Sequence, residues 1–229
     1  MTITNILLAS GKGDRFDSTK PKQLAKFRNN TIFMHALNNI LKCAAIDNIV
    51  ITVSKDTLEE IKDSIKQLHQ NHKAKIMPLV MGGAERSNSV YNALKFISQQ
   101  EKLPDHIMVH DSARPFVPQL VINNLINSCS HEHGVVPALP IHDSIKQINE
   151  NNIIKNINRS SIVRVQTPQI FPFKKLLYAY DNISDINNTL TDDSQIFLDS
   201  GFKVKHIEGD LRGLKITTKQ DLKILDALI

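Results

Sequence analysis

The chain has 229 residues, 41% of them hydrophobic and 22% charged, and its 28 Lys+Arg against 23 Asp+Glu give a formal net charge of +5. Those proportions describe a folded protein and exclude a disordered tail, a collagen-like repeat and a coiled coil. The basic residues are scattered, aromatics are 5% and Trp is absent, a poor footprint for nucleic acid and a fair one for a phosphorylated small molecule.

In chain order, Asn5-Ile6-Leu7-Leu8-Ala9 reads as a buried strand, continuously apolar because both faces are covered. Phe33, Ala36, Leu37, Ile40 and Leu41 then mark one face of a helix. A second strand is expected over 49–53, and a helix carrying Leu58, Ile61, Ile65 and Leu68 follows. A third strand is expected over 76–81 despite Pro78, which points to an edge or a bulge. Val90, Ala93, Leu94 and Ile97 stripe the next helix, 107–109 is a fourth strand, and a helix near 119–129 leads to a fifth strand over 134–139.

Strand–helix alternation of this kind predicts an α/β fold with a Rossmann-like, mostly parallel sheet flanked by helices. From 140 to about 170 the chain is polar, rich in Asn and Ile, and without a helical stripe. That stretch is expected to be an extended β-arm, with 149–152 at its tip, protruding from a single domain spanning 1–229. Helices around 174–180 and 192–199, a strand over 203–207 and a closing helix complete the chain. The closing helix opens on a capping-box pattern, Thr218-x-x-Asp221, with Leu222, Leu225 and Leu228 on its inner face.

No run approaches the ~18 consecutive apolar residues of a membrane span. Residues 1–5 lack the basic stretch and apolar core of a secretory signal. Cys43 and Cys129 are too few for a disulfide framework or a zinc site and are expected to be buried small hydrophobes. A cytoplasmic protein that contacts neither membrane nor nucleic acid is expected.

Ligands of open parallel sheets bind at the carboxyl ends of the strands, so the segments after each strand carry the chemistry. After the first strand come Gly11-Lys12-Gly13-Asp14-Arg15 and then Pro21-Lys22-Gln23. Glycines let backbone amides approach phosphate oxygens. A Rossmann fingerprint would need a third glycine where Phe16 stands, and a Walker loop would need Gly-Lys where Phe16-Asp17 stand. Taken alone, Gly11-x-Gly13 is no more than a tight turn. Arg15 and Lys22 beside it suit a polyphosphate whose charge grows at one phosphorus during reaction. After the third strand, Gly82-Gly83-Ala84-Glu85-Arg86 runs into a helix start, where free amides favour anions or base edges. After the fourth strand, His110-Asp111-Ser112-Ala113-Arg114-Pro115 holds more charge than a connector requires, a local Asp111–Arg114 ion pair being the competing reading. His131-Glu132-His133 lacks a further ligand and reads as a solvated connector. No Gly-x-Ser-x-Gly elbow supports serine hydrolysis.

Gly11-x-Gly13-x-Arg15, Pro21-Lys22-Gln23, Gly82-Gly83-x-x-Arg86-x-x-Ser89-Val90, His110-Asp111-x-Ala113-Arg114-Pro115, Asp143-Ser144-x-Lys146, Gln166-Thr167-Pro168-Gln169, Thr191-Asp192-Asp193 and Lys215-Ile216-Thr217 occur in this order along nearly the whole chain. Together they resemble the 2-C-methyl-D-erythritol 4-phosphate cytidylyltransferases. The resemblance implies joining of CTP to a sugar-alcohol phosphate with release of pyrophosphate, Mg²⁺ on the triphosphate, and a homodimer hooked together through the arm. It implies that Ala9, Ser10, Gly11 and Gly13 embrace CTP, that Gly83, Ala84 and Ser89 recognise cytosine and ribose, and that Ser112 also touches the nucleotide. Arg15, Lys22 and Lys215 match the cations around the α-phosphate. Asp111, Arg114, Ser144, Arg159, Thr167 and Thr191 match the acceptor side. Leu8 and Lys12 in the first loop are closer to the related ribitol-5-phosphate cytidylyltransferases, so ribitol 5-phosphate is the alternative acceptor. A nucleotide-sensing protein without activity would be expected to lack one of the three cations, and all three are present.

Overall fold

The structure, a computed structural model, describes residues 1–11, 13, 16, 20–150, 152–183 and 192–229. Its strands are β1 (Ile3–Ala9), β2 (Lys26–Phe27), β3 (Asn30–Thr31), β4 (Asn48–Val53), β5 (Val80–Met81), β6 (His106–Asp111), β7 (His133–Pro140), β8 (Ile145–Asn149), β9 (Asn152–Ile157), β10 (Val163–Val165), β11 (Gln169–Pro172) and β12 (Lys203–Glu208). Its α-helices are α1 (Ile32–Leu41), α2 (Leu58–Lys66), α3 (Gln70–Lys73), α4 (Arg86–Ser98), α5 (Gln119–Ser128), α6 (Phe173–Asp181), α7 (Asp193–Asp199) and α8 (Lys219–Leu228).

The central sheet runs β12-β7-β11-β6-β1-β4-β5, with β10 beside the end of β7. β1, β4, β5 and β6 pair in parallel, whereas β10 and β11 run antiparallel to their neighbours. Side chains of a strand alternate between faces, and this alternation sorts the apolar runs into two cores. Ile3 and Leu7 of β1, Ile49 and Ile51 of β4 and Met108 of β6 pack toward α1 and α5. Ile6, Val50, Ile107 and Val109 pack on the other side against α4, α6 and α7. Each fully buried aliphatic side chain contributes about 2 kcal/mol, so the two layers make β1 the rigid centre of the sheet.

A third, smaller core of Phe16, Phe27, Ile32, Ile216 and Leu225 lies under the loops. It packs Phe16 and Phe27 together with Ile216, the residue after Lys215. The capping box of α8 forms as expected, Asp221 accepting from the Thr218 amide at 2.7 Å. Leu225 is buried, but Leu228 is exposed.

Two boundaries differ from expectation. The third strand is confined to Val80–Met81, preceded by a single bridge from Ile76 to Ile49; Pro78 supplies no amide to continue the ladder between them. The 140–170 stretch is shorter as an excursion than expected. β8 and β9 form a separate, solvent-exposed hairpin, after which β10 and β11 return to the central sheet and pair with β7 and β6. Gln169 and Ile170 are fully buried there. Cys43 is buried as expected and Cys129 only half-buried, both as free thiols. No helix among the described residues is long and apolar enough to cross a membrane.

Candidate active site

The first loop is held by hydrogen bonds to its carbonyls. Gln23, buried in the turn after Pro21, donates from Nε2 to the Ala9 and Gly11 carbonyls, both at 2.8 Å. Gly13 has φ +78° and lies against Lys22, where a Cβ would come within 2.8 Å of the lysine Cβ. Only glycine meets both demands, and the result sets Lys22 beside the loop. The second glycine turn packs on the first: Ser10 Oγ lies 2.9 Å from Ser89 Oγ, and a Cβ on Gly82 would overlap the Ser10 side chain. Ser89 Oγ also accepts from the Gly83 amide at 3.1 Å. The turn leads into α4 through a Glu85–Asn88 capping box. Gly83 and Ala84 are exposed residues at the surface of this turn.

Beside this double turn, Asp111 ends β6 and gathers cations from distant segments. Its Oδ1 accepts from Arg86 Nε at 2.9 Å, its Oδ2 from Lys215 Nζ at 2.8 Å, and Arg114 Nε stands 4.0 Å away. Burial pushes the Asp111 carboxyl up, but the charges of Arg86, Lys215 and Arg114 outweigh it and hold the group well below the usual carboxylate range. Lys215 is brought in by its neighbours: the Ile216 amide donates to the Ala113 carbonyl at 2.8 Å, and Arg114 donates to the Gly213 carbonyl at 2.7 Å. These groups and Thr167 line a cavity of about 310 Å³ with Val163 and Val165 from β10. Two buried side-chain atoms of its lining, Arg114 Nε and Gln169 Oε1, have no hydrogen-bond partner among the described residues. A small, polar, cation-rich cavity of this kind suits a phosphorylated polyol.

His110 supports the carboxylate from behind. Its Nε2 lies 3.2 Å from the Arg114 carbonyl, which can only accept, so Nε2 carries the proton and Nδ1 accepts from the Thr167 hydroxyl at 3.1 Å. The same hydroxyl oxygen accepts from the Asp111 amide at 3.1 Å. Full burial lowers the His110 pKa to about 4, so it is neutral in the fold and protonates far more readily unfolded. The unfolded chain then binds more protons than the native one between pH ~4 and ~6.5, and stability rises with pH across that window. Urea unfolding from pH 4.5 to 6.5 is expected to show this slope, worth about 3 kcal/mol over the full window, and His110→Gln is expected to flatten it. An equal slope in both proteins would contradict the assignment.

A family model described as 2-C-methyl-D-erythritol 4-phosphate cytidylyltransferase matches residues 3–229. The chain belongs to that family. A relative bearing the same description in Thermosipho melanesiensis is 35% identical over 221 residues, 96% of this chain and 94% of the relative. The solved cytidylyltransferase of Francisella tularensis superposes with a TM-score of 0.81 at 29% identity, covering all of both chains. The 4-diphosphocytidyl-2C-methyl-D-erythritol synthase of Anaerococcus prevotii gives a TM-score of 0.83 at 25% identity, covering 99% of this chain and 95% of that one.

Of the cytidylyltransferase residues expected from sequence, the structure gathers Ala9, Ser10, Gly11, Gly13, Lys22, Gly83, Ala84 and Ser89 at the paired glycine turns. Asp111, Arg114, Thr167 and Lys215 meet at the cavity. Ser112 is buried between the two groups, its hydroxyl donating to the Leu8 carbonyl at 2.6 Å. Ser144 and Arg159 do not line the cavity. They are exposed at the root of the β8–β9 hairpin, where Arg159 donates to the His142 carbonyl. Among the described residues the hairpin strands pair only with each other, and neither Ser144 nor Arg159 lies in the cavity lining. Arg15 and Thr191 lie outside the described residues. Sequence reasoning assigned no role to Arg86, Asp193 or Gln23. The signal for Arg86 was its position at the first turn of α4, where the helix dipole repels a cation and only carboxylate partners make it tenable. Asp192 caps α7 by accepting from the Gln195 amide at 3.0 Å, which leaves the adjacent Asp193 to point inward.

Proposed function

We propose that this chain joins CTP and 2-C-methyl-D-erythritol 4-phosphate to give 4-diphosphocytidyl-2-C-methyl-D-erythritol and pyrophosphate, a step in making isoprenoid precursors, acting as one nucleotidyltransferase domain. The observation that carries this reading is family membership along 3–229, and its relatives, described as methylerythritol phosphate cytidylyltransferases, favour methylerythritol phosphate over ribitol 5-phosphate as acceptor. CTP lies against the paired glycine turns, its base toward Gly83, Ala84 and Ser89 and its phosphates toward Gly11, Gly13 and Lys22. The acceptor enters the cavity at Asp111, Arg114 and Thr167. One of its phosphate oxygens attacks the α-phosphorus of CTP in line, forming the new P–O bond as the bond to the β-phosphate breaks and pyrophosphate leaves with the electron pair.

That oxygen is already ionised near neutral pH, so no strong general base is needed. The barrier lies in bringing one anion to another and in charge growing at the α-phosphorus. Arg15, Lys22 and Lys215 counter both, and fixing the reactants in line supplies much of the rest. Mg²⁺, when bound on the triphosphate, would neutralise further phosphate charge. The donor set agrees with a metal carried by the nucleotide: both Asp111 oxygens are engaged by cations, and among the described residues no three His, Cys, Asp or Glu converge. We further propose a homodimer, in which the exposed hairpin brings Ser144 and Arg159 to the acceptor of a second copy, and a cytoplasmic location. Pyrophosphate release measured over several alditol phosphates and all four nucleoside triphosphates is expected to be largest with CTP and methylerythritol phosphate. Activity with ribitol 5-phosphate alone would overturn the acceptor.

A further inference from the structure

A buried polar chain leads away from the cavity. The Tyr180 hydroxyl donates to Asp193 Oδ1 at 2.6 Å, Arg86 Nη2 donates to Asp193 Oδ2 at 2.8 Å, and Arg86 Nε donates to Asp111 Oδ1 at 2.9 Å. Asp193 is fully buried and Tyr180 only 2% exposed, and neither lines the cavity. Tyr180 in turn is fixed against α4 by a parallel stack on Tyr91, with ring centroids 6.1 Å apart.

A buried ion pair of this kind contributes little net stability, since desolvating both charges offsets their attraction. What it does provide is position. A guanidinium is planar, and one that engages two carboxylates has almost no freedom to rotate. Arg86 also begins α4 directly after the Gly82–Gly83 turn, so one side chain spans the nucleotide turn, the acceptor carboxylate and α7. With Oδ1 of Asp111 held by Arg86 and Oδ2 by Lys215, the plane of the carboxylate is fixed, and a ligand meets only the lone pairs these two cations leave.

We infer that Tyr180 and Asp193 are positioning residues for the acceptor: through Arg86 they fix the orientation of Asp111, and so the affinity for the polyol phosphate, without touching either substrate. This rests on the reading of the cavity as the acceptor site. In the same reading CTP lies against the paired glycine turns and shares with Asp111 only Lys215, which is held by Oδ2 rather than by the Oδ1 that Arg86 fixes, so its binding depends less on where Asp111 points.

The test is steady-state kinetics, with both substrates varied, on Tyr180→Phe, Asp193→Asn and the control Leu176→Ala. Leu176 is fully buried in the same core but outside the polar chain. Tyr180→Phe is expected to raise the acceptor KM roughly five- to tenfold and Asp193→Asn more, with the CTP KM unchanged within about twofold. Leu176→Ala is expected to lower the Tm at least as much and to leave both KM values unchanged. Arg86→Lys keeps the charge but cannot span two carboxylates, so it is expected to behave like Asp193→Asn. If Tyr180→Phe and Asp193→Asn lower the Tm and leave the acceptor KM unchanged, the inference is overturned. An Arg114→Gln variant separates the two levels. A raised acceptor KM for Arg114→Gln beside unchanged values for the relay variants overturns the relay alone, whereas unchanged values throughout overturn the cavity assignment with it.

Discussion

Replacing Lys22 by alanine is expected to lower kcat by ~10² or more with the fold intact. Lys22 follows Pro21 in a 3-10 turn whose other residues, Gln23 and Leu24, are buried. The turn is anchored through Leu24 in the main core and Gln23 on the Ala9 and Gly11 carbonyls, contacts made by other side chains. Gly13 packs on the Lys22 backbone and Cβ, which alanine retains. In the proposed reaction the charge removed is one that acts at the α-phosphorus, and a charge that counts most in the transition state affects kcat more than ground-state binding. Kinetics beside circular dichroism checks this, and near-normal turnover would refute the role.

Lys215→Ala is expected to cost a similar factor in kcat and also to change acid stability. Lys215 is one of three cations that depress the Asp111 pKa. A depressed carboxylate stabilises the fold above its unfolded pKa, and that contribution is lost as pH falls through the folded value. Without Lys215 the folded value moves back toward normal, so the stabilisation is smaller and its loss begins at higher pH. Lys215→Arg keeps the charge and is expected to restore the acid stability. Urea unfolding below pH ~5 with all three proteins measures this, and identical acid limbs for wild type and Lys215→Ala would contradict the ion pair.

Most of the sheet was legible because burial on both faces leaves an unbroken apolar run, as in β1 and β4, and because helical stripes between them have one spacing only. Local pairing was less legible. Pro78 was visible, but how far a ladder continues past it depends on the partner strand. The return of β10 and β11 was hidden because Gln166, Thr167 and Gln169 are polar, yet all three are buried. Their polarity is satisfied by long-range hydrogen bonds such as Gln166 Nε2 to the Asp210 carbonyl at 2.9 Å, which no local pattern announces. The glycine turns and the Asp111 and Arg114 pair were readable from residue type after each strand; that Lys215 and Arg86 also converge on Asp111 was not. Arg86 was visible within its motif, but its partners lie 25 and 107 positions away, and only the fold shows that one guanidinium serves both. The separation of Ser144 and Arg159 from the cavity follows from a hairpin paired with itself, a matter of tertiary geometry.

The central claim is that loops from remote parts of the chain bring Lys22, Lys215 and Arg15 to one CTP. A crystal structure with CTP and Mg²⁺ tests it most directly. The account predicts all three side chains within hydrogen-bonding reach of the α-phosphate and the cytosine against Gly83 and Ala84; cationic groups turned away from the nucleotide into solvent would contradict it.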